Sequence, residues 1–225
     1  NTLSIFSKFG VNLNNYGSTW TVVSSTTNIN WQSVSLSASG QYQTAVTNGS
    51  SGQIYVSTNY GSTWTVVSSP TNINWSAVSL SGSGQYQTAV SNGGQIYVST
   101  NYGSTWPDTL SLTNVNLSSV SLSASGQYQT VVTNGSSGQI YVSTNYGSTW
   151  NAVPSGPSGN WQSISLSASG QYQTAVQNGE EIYVSTNYGT NWSPTVNFNS
   201  SWYSVSASGQ YQTACTQPGG QLYVS

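Results

Sequence analysis

The sequence predicts an all-β fold, a five-bladed β-propeller of four-stranded antiparallel blades, and three observations lead there. The first is self-similarity: Gln-Tyr-Gln-Thr occurs at 41–44, 85–88, 127–130, 171–174 and 210–213, and Tyr-Val-Ser at 55–57, 97–99, 141–143, 183–185 and 223–225. The second is the period. Trp20, Trp64, Trp106, Trp150 and Trp192, each closing a Gly-x-x-Trp, lie 44, 42, 44 and 42 residues apart, which is room for four short strands and their turns. The third is composition, because a chain this rich in Gly, Ser, Thr and Asn has little capacity for helix.

Within one period the strands read as A (31–37), B (41–47), C (53–57) and D (63–67). In A, Val34 and Leu36 alternate with Ser33, Ser35 and Ser37; in B, Tyr42, Thr44 and Val46 alternate with Gln41, Gln43 and Ala45. Small hydroxyl residues suit an innermost strand, where blades converge on an axis, while the roomier outer strands carry Tyr55 and Trp64. Ser39-Gly40, the run Asn48 to Gly52, and Asn59-Tyr60-Gly61 punctuate the three turns, Gly and Asn supplying the positive φ that tight turns need. In the fifth period Val205-Ser206-Ala207 stands where 34–38 stands in the first, so that A strand is expected to be two residues short.

The ends define how the ring is expected to close. Ser57, Ser99, Ser143 and Ser185 each precede their Trp by seven residues, whereas the seventh residue before Trp20 is Leu13; the serine belonging there is Ser225. Residues 14–225 therefore make five whole repeats cut inside one C to D turn, and the segment near Trp20 to Val23 is expected to complete the last blade as its strand D, hiding two strand edges. Residues 1–13 fall outside the ring. Their Leu3 to Ser7 segment has strand character and is compatible with lying along its own domain, with disorder, or with pairing on a neighbouring molecule's sheet edge. Beginning at Asn1 with no signal-like apolar stretch, the chain reads as a mature chain or a fragment.

Ser57-Thr58-Asn59-Tyr60-Gly61-Ser62-Thr63-Trp64 resembles the Asp-box (BNR) repeat, Ser-x-Asp-x-Gly-x-x-Trp, of sialidases and other propellers. Four copies match at Ser, Gly and Trp, and a fifth is assembled from Ser225 and 15–20. Every copy has Asn where the family has Asp: Asn15, Asn59, Asn101, Asn145 and Asn187. The resemblance implies a folding element between strands C and D, in which an asparagine carbonyl accepts the turn's backbone hydrogen bonds without charge. The Ser-Ala-Ser-Gly-Gln-Tyr segment between A and B is similar to the turn of WD-type repeats. Both resemblances imply the fold and leave the function open.

Charge narrows the function. Only Lys8, Asp108, Glu180 and Glu181 are charged, about a tenth of the usual share for a soluble domain. Such a surface cannot neutralise phosphates or draw in a charged partner, so nucleic acid is not an expected partner. No apolar run approaches the ~20 residues of a bilayer-spanning helix, so membrane insertion is not expected either. With no arginine the chain lacks the carboxylate clamp a sialidase needs, and with no histidine it lacks the usual base for a nucleophile and the usual zinc ligand. Glu180 and Glu181 are neighbours that diverge on a strand, and Asp108 is alone, so paired-acid glycosidase chemistry has no constellation. The single cysteine, Cys215, takes the place of Val46, Val90, Val132 and Val176 and reads as a small core residue. The expectation is a non-enzyme with no catalytic residue, metal or cofactor.

What remains is recognition or assembly. Asn30-Trp31, Asn74-Trp75, Asn160-Trp161 and Ser201-Trp202 share one repeat position, occupied by Asn116-Leu117 in the third, on the face carrying the D–A and B–C connections. An aromatic ring beside amides suits an uncharged sugar, so Trp31, Trp75, Trp161 and Trp202 with Asn30 and Asn160 are candidate sites of a multivalent lectin; the same tryptophans also suit wedges between blades. Six sequons, at Asn48, Asn74, Asn116, Asn134, Asn191 and Asn199, allow that glycans are attached there instead, five of them on that face. The expected function is extracellular recognition or adhesion through neutral glycans. The alternative is a structural subunit of an extracellular fibre, coat or virion that binds copies of itself through residues 1–13. Either places the protein outside the cell or on a cell or virion surface.

Overall fold

The computed structural model describes residues 20–23, 29–154, 156–179, 181–195, 202–207, 209–216 and 220–225. They form five consecutive antiparallel meanders. The first holds β1 (Trp31–Leu36), β2 (Gln43–Thr47), β3 (Ile54–Ser57) and β4 (Thr65–Val66); the second β5 (Trp75–Leu80), β6 (Gln87–Ser91), β7 (Gln95–Ser99) and β8 (Asp108–Ser111). The third holds β9 (Asn116–Leu122), β10 (Gln129–Asn134), β11 (Ile140–Ser143) and β12 (Asn151–Ala152); the fourth β13 (Trp161–Leu166), β14 (Gln173–Gln177), β15 (Ile182–Ser185) and β16 (Ser193–Pro194). The last has three strands, β17 (Trp202–Ala207), β18 (Gln212–Thr216) and β19 (Leu222–Val224). The strands of the first meander fall inside the expected A to D, each somewhat shorter than expected.

The core lies between sheets rather than within them. Val46, Ile54 and Val67 of the first sheet pack on Trp75, Val78, Leu80, Ala89 and Trp106 of the second, and the same positions recur at the next two joints. A β-bulge makes this possible. In WQSVSL the tryptophan is three residues from the valine, so strict alternation would put the two on opposite faces. The register of β1, β5, β13 and β17 slips by one residue after the tryptophan, returning Trp75 to the face of Val78 and Leu80.

Two sets of side chains tie one sheet to the next. The Thr44 hydroxyl donates to the Gln87 carbonyl at 2.5 Å, Thr88 to Gln129 at 2.6 Å, Thr130 to Gln173 at 2.7 Å and Thr174 to Gln212 at 2.9 Å. Each of Gln87, Gln129 and Gln173 then spends its NH2 on the carbonyl of Gly84, Gly126 or Gly170 in its own A–B turn. On the innermost strands, Ser33 and Ser35 accept from the backbone N–H of Val78 and Leu80, and Ser119 and Ser121 from Ile164 and Leu166. Those N–H groups sit on the free edge of their sheet. These serines of A are therefore structural acceptors, beyond being small.

The fifth sheet departs from expectation. β17 keeps six residues and pairs Ala207 with Gln212 as Leu166 pairs with Gln173, so the strand is not shortened. The two missing residues come out of the A–B connection instead, which is four residues (208–211) against six (167–172). That connection elsewhere links sheets along the rim: Ala38 N–H donates to Gly82, Gly82 to Ala124 and Ala124 to Ala168. A strand conserves its core face, whereas a rim link at the end of the row can be cut.

The two ends of the row are uncovered. β1 lies against β5, β5 against β9, β9 against β13 and β13 against β17, while among the described residues the first and fifth sheets share no comparable contact. Val34 is 63% exposed where its equivalent Val78 is 5%, and Leu222 and Val224 are exposed at the other end. Trp20 to Val23 form no strand on β19; Val23 instead lines a cavity of about 400 Å³ against Trp31, Val34, Ala45 and Trp64. Among the described residues the completion of the last sheet is not shown, and residues 1–13 lie outside them.

Thr88→Val leaves the buried Gln129 carbonyl without its donor. It is expected to cost about 1–3 kcal/mol of unfolding free energy in urea titrations, against less than about 0.5 kcal/mol for Thr113→Val on the surface.

Candidate functional site

The connections emerge on two faces. On one, the B–C loop bonds to the D–A loop of its own sheet: the N–H of Asn48, Asn92 and Asn178 donates to the carbonyl of Asn30, Asn74 and Asn160. It also bonds to the next sheet, Gly49 N–H reaching Asn74 Oδ1 at 2.9 Å and Gly135 N–H reaching Asn160 Oδ1 at 3.1 Å. These asparagines are loop locks. The candidate tryptophans behind them do not reach solvent: Trp75 and Trp161 are 0% exposed, and only Trp31, on the uncovered first sheet, shows 39%. Trp75 and Trp161 are inter-sheet wedges, each meeting a tyrosine edge-on at 5.3 Å (Tyr97 and Tyr183), so a sugar cannot stack on either. The bulge is the cause, since it turns the ring into the joint. The cavity beside Trp31 lies at the equivalent position on the first sheet. The side chain of Trp202 lies outside the described residues.

Of the sequons, Asn48 is exposed with its Nδ2 on Gln32, Asn74 is exposed, and Asn116 and Asn134 stand opposite each other at the open end of β9 and β10. Asn191 is on the other face, and Asn199 lies outside the described residues.

On that other face the Asn-box turn is built as the resemblance implies. Ser57 donates its hydroxyl to Asn59 Oδ1 at 3.0 Å and accepts from Gly61 N–H at 3.0 Å, while Asn59 Oδ1 accepts Thr63 N–H at 3.0 Å. Asn59 Nδ2 adds a bond to Thr63 Oγ1 at 2.8 Å, repeated at Asn101 and Asn145, which a carboxylate could not donate. The box tryptophan donates to the turn glycine in three copies, whereas Trp150 finds Thr109 of the neighbouring sheet.

The residue between Asn and Gly was not singled out by the sequence reading. Tyr60, Tyr102, Tyr146 and Tyr188 all adopt φ near +60° (60, 60, 61 and 61°). The other described non-glycine residues in that region are Asn72 and Asn114, the residue type that tolerates it. Tyr102, Tyr146 and Tyr188 stack on Tyr42, Tyr86 and Tyr128 of the preceding sheet with centroids 4.6, 4.5 and 4.4 Å apart. Left-handed backbone costs about 1–2 kcal/mol, and an aromatic pair returns about 0.5–1.5 kcal/mol, so the two roughly cancel. The sequence signal for this position was a bulky residue recurring where a turn calls for Asn or Gly.

Titratable chemistry is sparse. Among the described residues Asp108 and Glu181 are the charged side chains, in the second and fourth sheets, and no three His, Cys, Asp or Glu side chains gather. Asp108 is spent locally, accepting from Leu110 N–H and from the Ser111 hydroxyl. No described helix is long and apolar enough to cross a membrane.

No protein-family profile matches the sequence, and no curated protein does. Solved structures do. A GH74 xyloglucanase from Xanthomonas campestris superposes with a TM-score of 0.68 at 13% identity over 86% of this chain and 36% of that one. A chain of a nidogen–laminin complex gives 0.66 at 9% identity over 83% and 72%, and YCF48 bound to a D1 peptide gives 0.62 at 16% over 88% and 65%. The chain spans about a third of the GH74 enzymes it resembles. These likenesses establish an all-β fold of repeated blades like that of Asp-box-containing β-propellers.

Burial pushes the Tyr97 phenol up, with the Asp108 carboxylate adding to it, and burial raises Tyr141 likewise. A raised phenol keeps its proton in the folded state after the unfolded chain has lost it. Their contribution is therefore complete below about pH 10 and is lost as pH rises through the raised values. Urea midpoints from pH 7 to 11 are expected to decline above about pH 10, less steeply in Tyr97→Phe and in Asp108→Asn.

Proposed function

We propose that the chain closes as a five-bladed ring with Trp20 to Val23 as strand D of the last blade, and that the ring is a non-enzymatic recognition propeller binding neutral glycans multivalently in an extracellular, cell-surface or virion setting. The placement of Val23 supports closure. It meets Trp31, Val34, Ala45 and Trp64, the equivalents of Trp75, Val78, Ala89 and Trp106, with which its own equivalent Val67 clusters. The end faces also match residue for residue: Val34 and Leu36 at one end correspond to Val78 and Leu80, and Leu222 and Val224 at the other correspond to Ile54 and Val56, which cover them. Closing the ring sets Tyr211 beside Tyr60 as Tyr42 is set beside Tyr102.

The observation that carries the recognition reading is the repetition of an uncharged rim. The described C–D turns repeat a tyrosine between exposed hydroxyl residues, with Thr190-Asn191 in the fourth in place of Ser-Thr, so a ligand without charge finds similar weak sites whose number supplies avidity. Catalysis finds no support in the two described carboxylates, Asp108 and Glu181, which belong to different sheets, or in a chain without histidine or arginine. A second reading, a structural subunit, is favoured by the uncovered end faces themselves, which would join copies end to end if they do not join within one chain.

The pairing Val56↔Thr65 places Thr21 opposite Val224 in the closed ring. Thr21→Cys with Val224→Cys, in a Cys215→Ser background, is expected to crosslink within a monomer through a short bis-maleimide. Crosslinks only between molecules would replace closure by end-to-end assembly, and none at all would refute both. For recognition, retardation of the intact protein in gels containing mannan, galactan or β-glucan is expected, and free mobility in all three counts against it.

A further inference from the structure

The tyrosines of the C–D rim have no structural reason to be tyrosine. The turn needs a left-handed residue before glycine, and elsewhere this chain puts Asn72 or Asn114 in that conformation. Stacking on the preceding sheet merely offsets the strain. Nor does stacking hide the rings: Tyr102, Tyr146 and Tyr188 remain 38, 37 and 36% exposed, and Tyr60 65%. Each ring is tilted against its partner, at 34, 32 and 30°, while its residue keeps more than a third of its surface exposed. Thr100, Thr144 and Thr186 on one side, and Ser104, Ser148 and Thr190 on the other, are exposed hydroxyls flanking these rings. The box amides between them are consumed within their own turns.

Resting on the recognition reading above, we propose that the glycan sites are Tyr102, Tyr146 and Tyr188, each with its flanking hydroxyls, and that each takes a single neutral pyranose ring. The ring's apolar C–H face lies on the tyrosine, and its hydroxyls exchange hydrogen bonds with the flanking hydroxyls and the phenol. The pair Tyr42–Tyr102 holds the platform: the lower ring fixes the upper one, and the left-handed backbone keeps it out from the turn. No cation is described on this rim, so an anionic sugar would bring its charge to a surface with nothing to meet it. On the opposite rim Trp75 and Trp161 are sealed inside the joints and offer no such platform. A single exposed ring binds weakly, and the repetition of the turns suits a polymer that engages several at once.

Tyr102→Asn, Tyr146→Asn and Tyr188→Asn together remove the platforms while keeping a residue that accepts the conformation, so the variant is expected to fold with a urea midpoint no lower than that of the natural sequence. Affinity electrophoresis in mannan, galactan and β-glucan gels is run beside saturation-transfer NMR with methyl α-mannoside, methyl β-galactoside and methyl β-glucoside. Retardation of the natural protein in at least one gel, reduced at least tenfold in the triple variant, with transfer from tyrosine ring protons to the sugar C–H face, is the expected result. Equal retardation of the two proteins overturns the tyrosine site and leaves recognition standing. Free mobility of the natural protein in every gel, with no transfer to any glycoside, overturns recognition and the site together.

Discussion

The hydrogen bond from a buried threonine hydroxyl to a buried glutamine carbonyl in the next sheet is the constraint on which the rest of this protein depends. With almost no charge available, the chain meets its buried polar groups chiefly by neutral pairs, and a half-satisfied pair costs more than an apolar one. Gln129 meets this demand at both ends, taking Thr88 on its carbonyl and giving its NH2 to Gly126. That second bond fixes the A–B turn, which brings Gly126 against the Tyr86 ring, where a Cβ would stand 2.7 Å from Tyr86 Cβ. Tyr86 in turn supports Tyr146 on the rim. One four-residue motif thereby sets the distance between sheets, the turn glycine and the stacked tyrosines.

The same economy explains why the tryptophans are inside. A half-empty joint between sheets of Ser, Thr, Ala and Val would leave voids, and each void forfeits contact energy. Trp75 and Trp161 fill that space, and Leu117 fills it in the third sheet. Their N–H groups pay for this by finding no bonding partner, the edge-on tyrosine being the nearest aromatic neighbour. At the joints filled by Trp75 and Trp161 the aromatic surface left exposed is consequently tyrosine on the opposite rim.

A neutral repeat surface has a further physical consequence. Without long-range repulsion or attraction, encounter is governed by shape and by short-range contacts. The likeness to propellers as different as a xyloglucanase, a nidogen–laminin complex chain and a peptide-bound YCF48 fits this view of the fold as a carrier. What distinguishes this chain is the chemistry at its turns.

Much of the fold was legible in the sequence because it is written five times. Period, strand order, the two turn faces and the Asn-box geometry follow from residue type at fixed spacing, and those are local constraints. The direction of Trp75 was not legible as read, although its odd distance from Val78 carried the information, because a bulge changes which face a residue occupies without changing its identity. The site of the deletion in the fifth repeat was decided by register, β17 keeping its pairing while the turn gave way. The exposure of the rim tyrosines was likewise settled only in three dimensions. Local sequence determines which turns and strands form; which aromatic ring is wedge and which is surface depends on the sheet packed beside it.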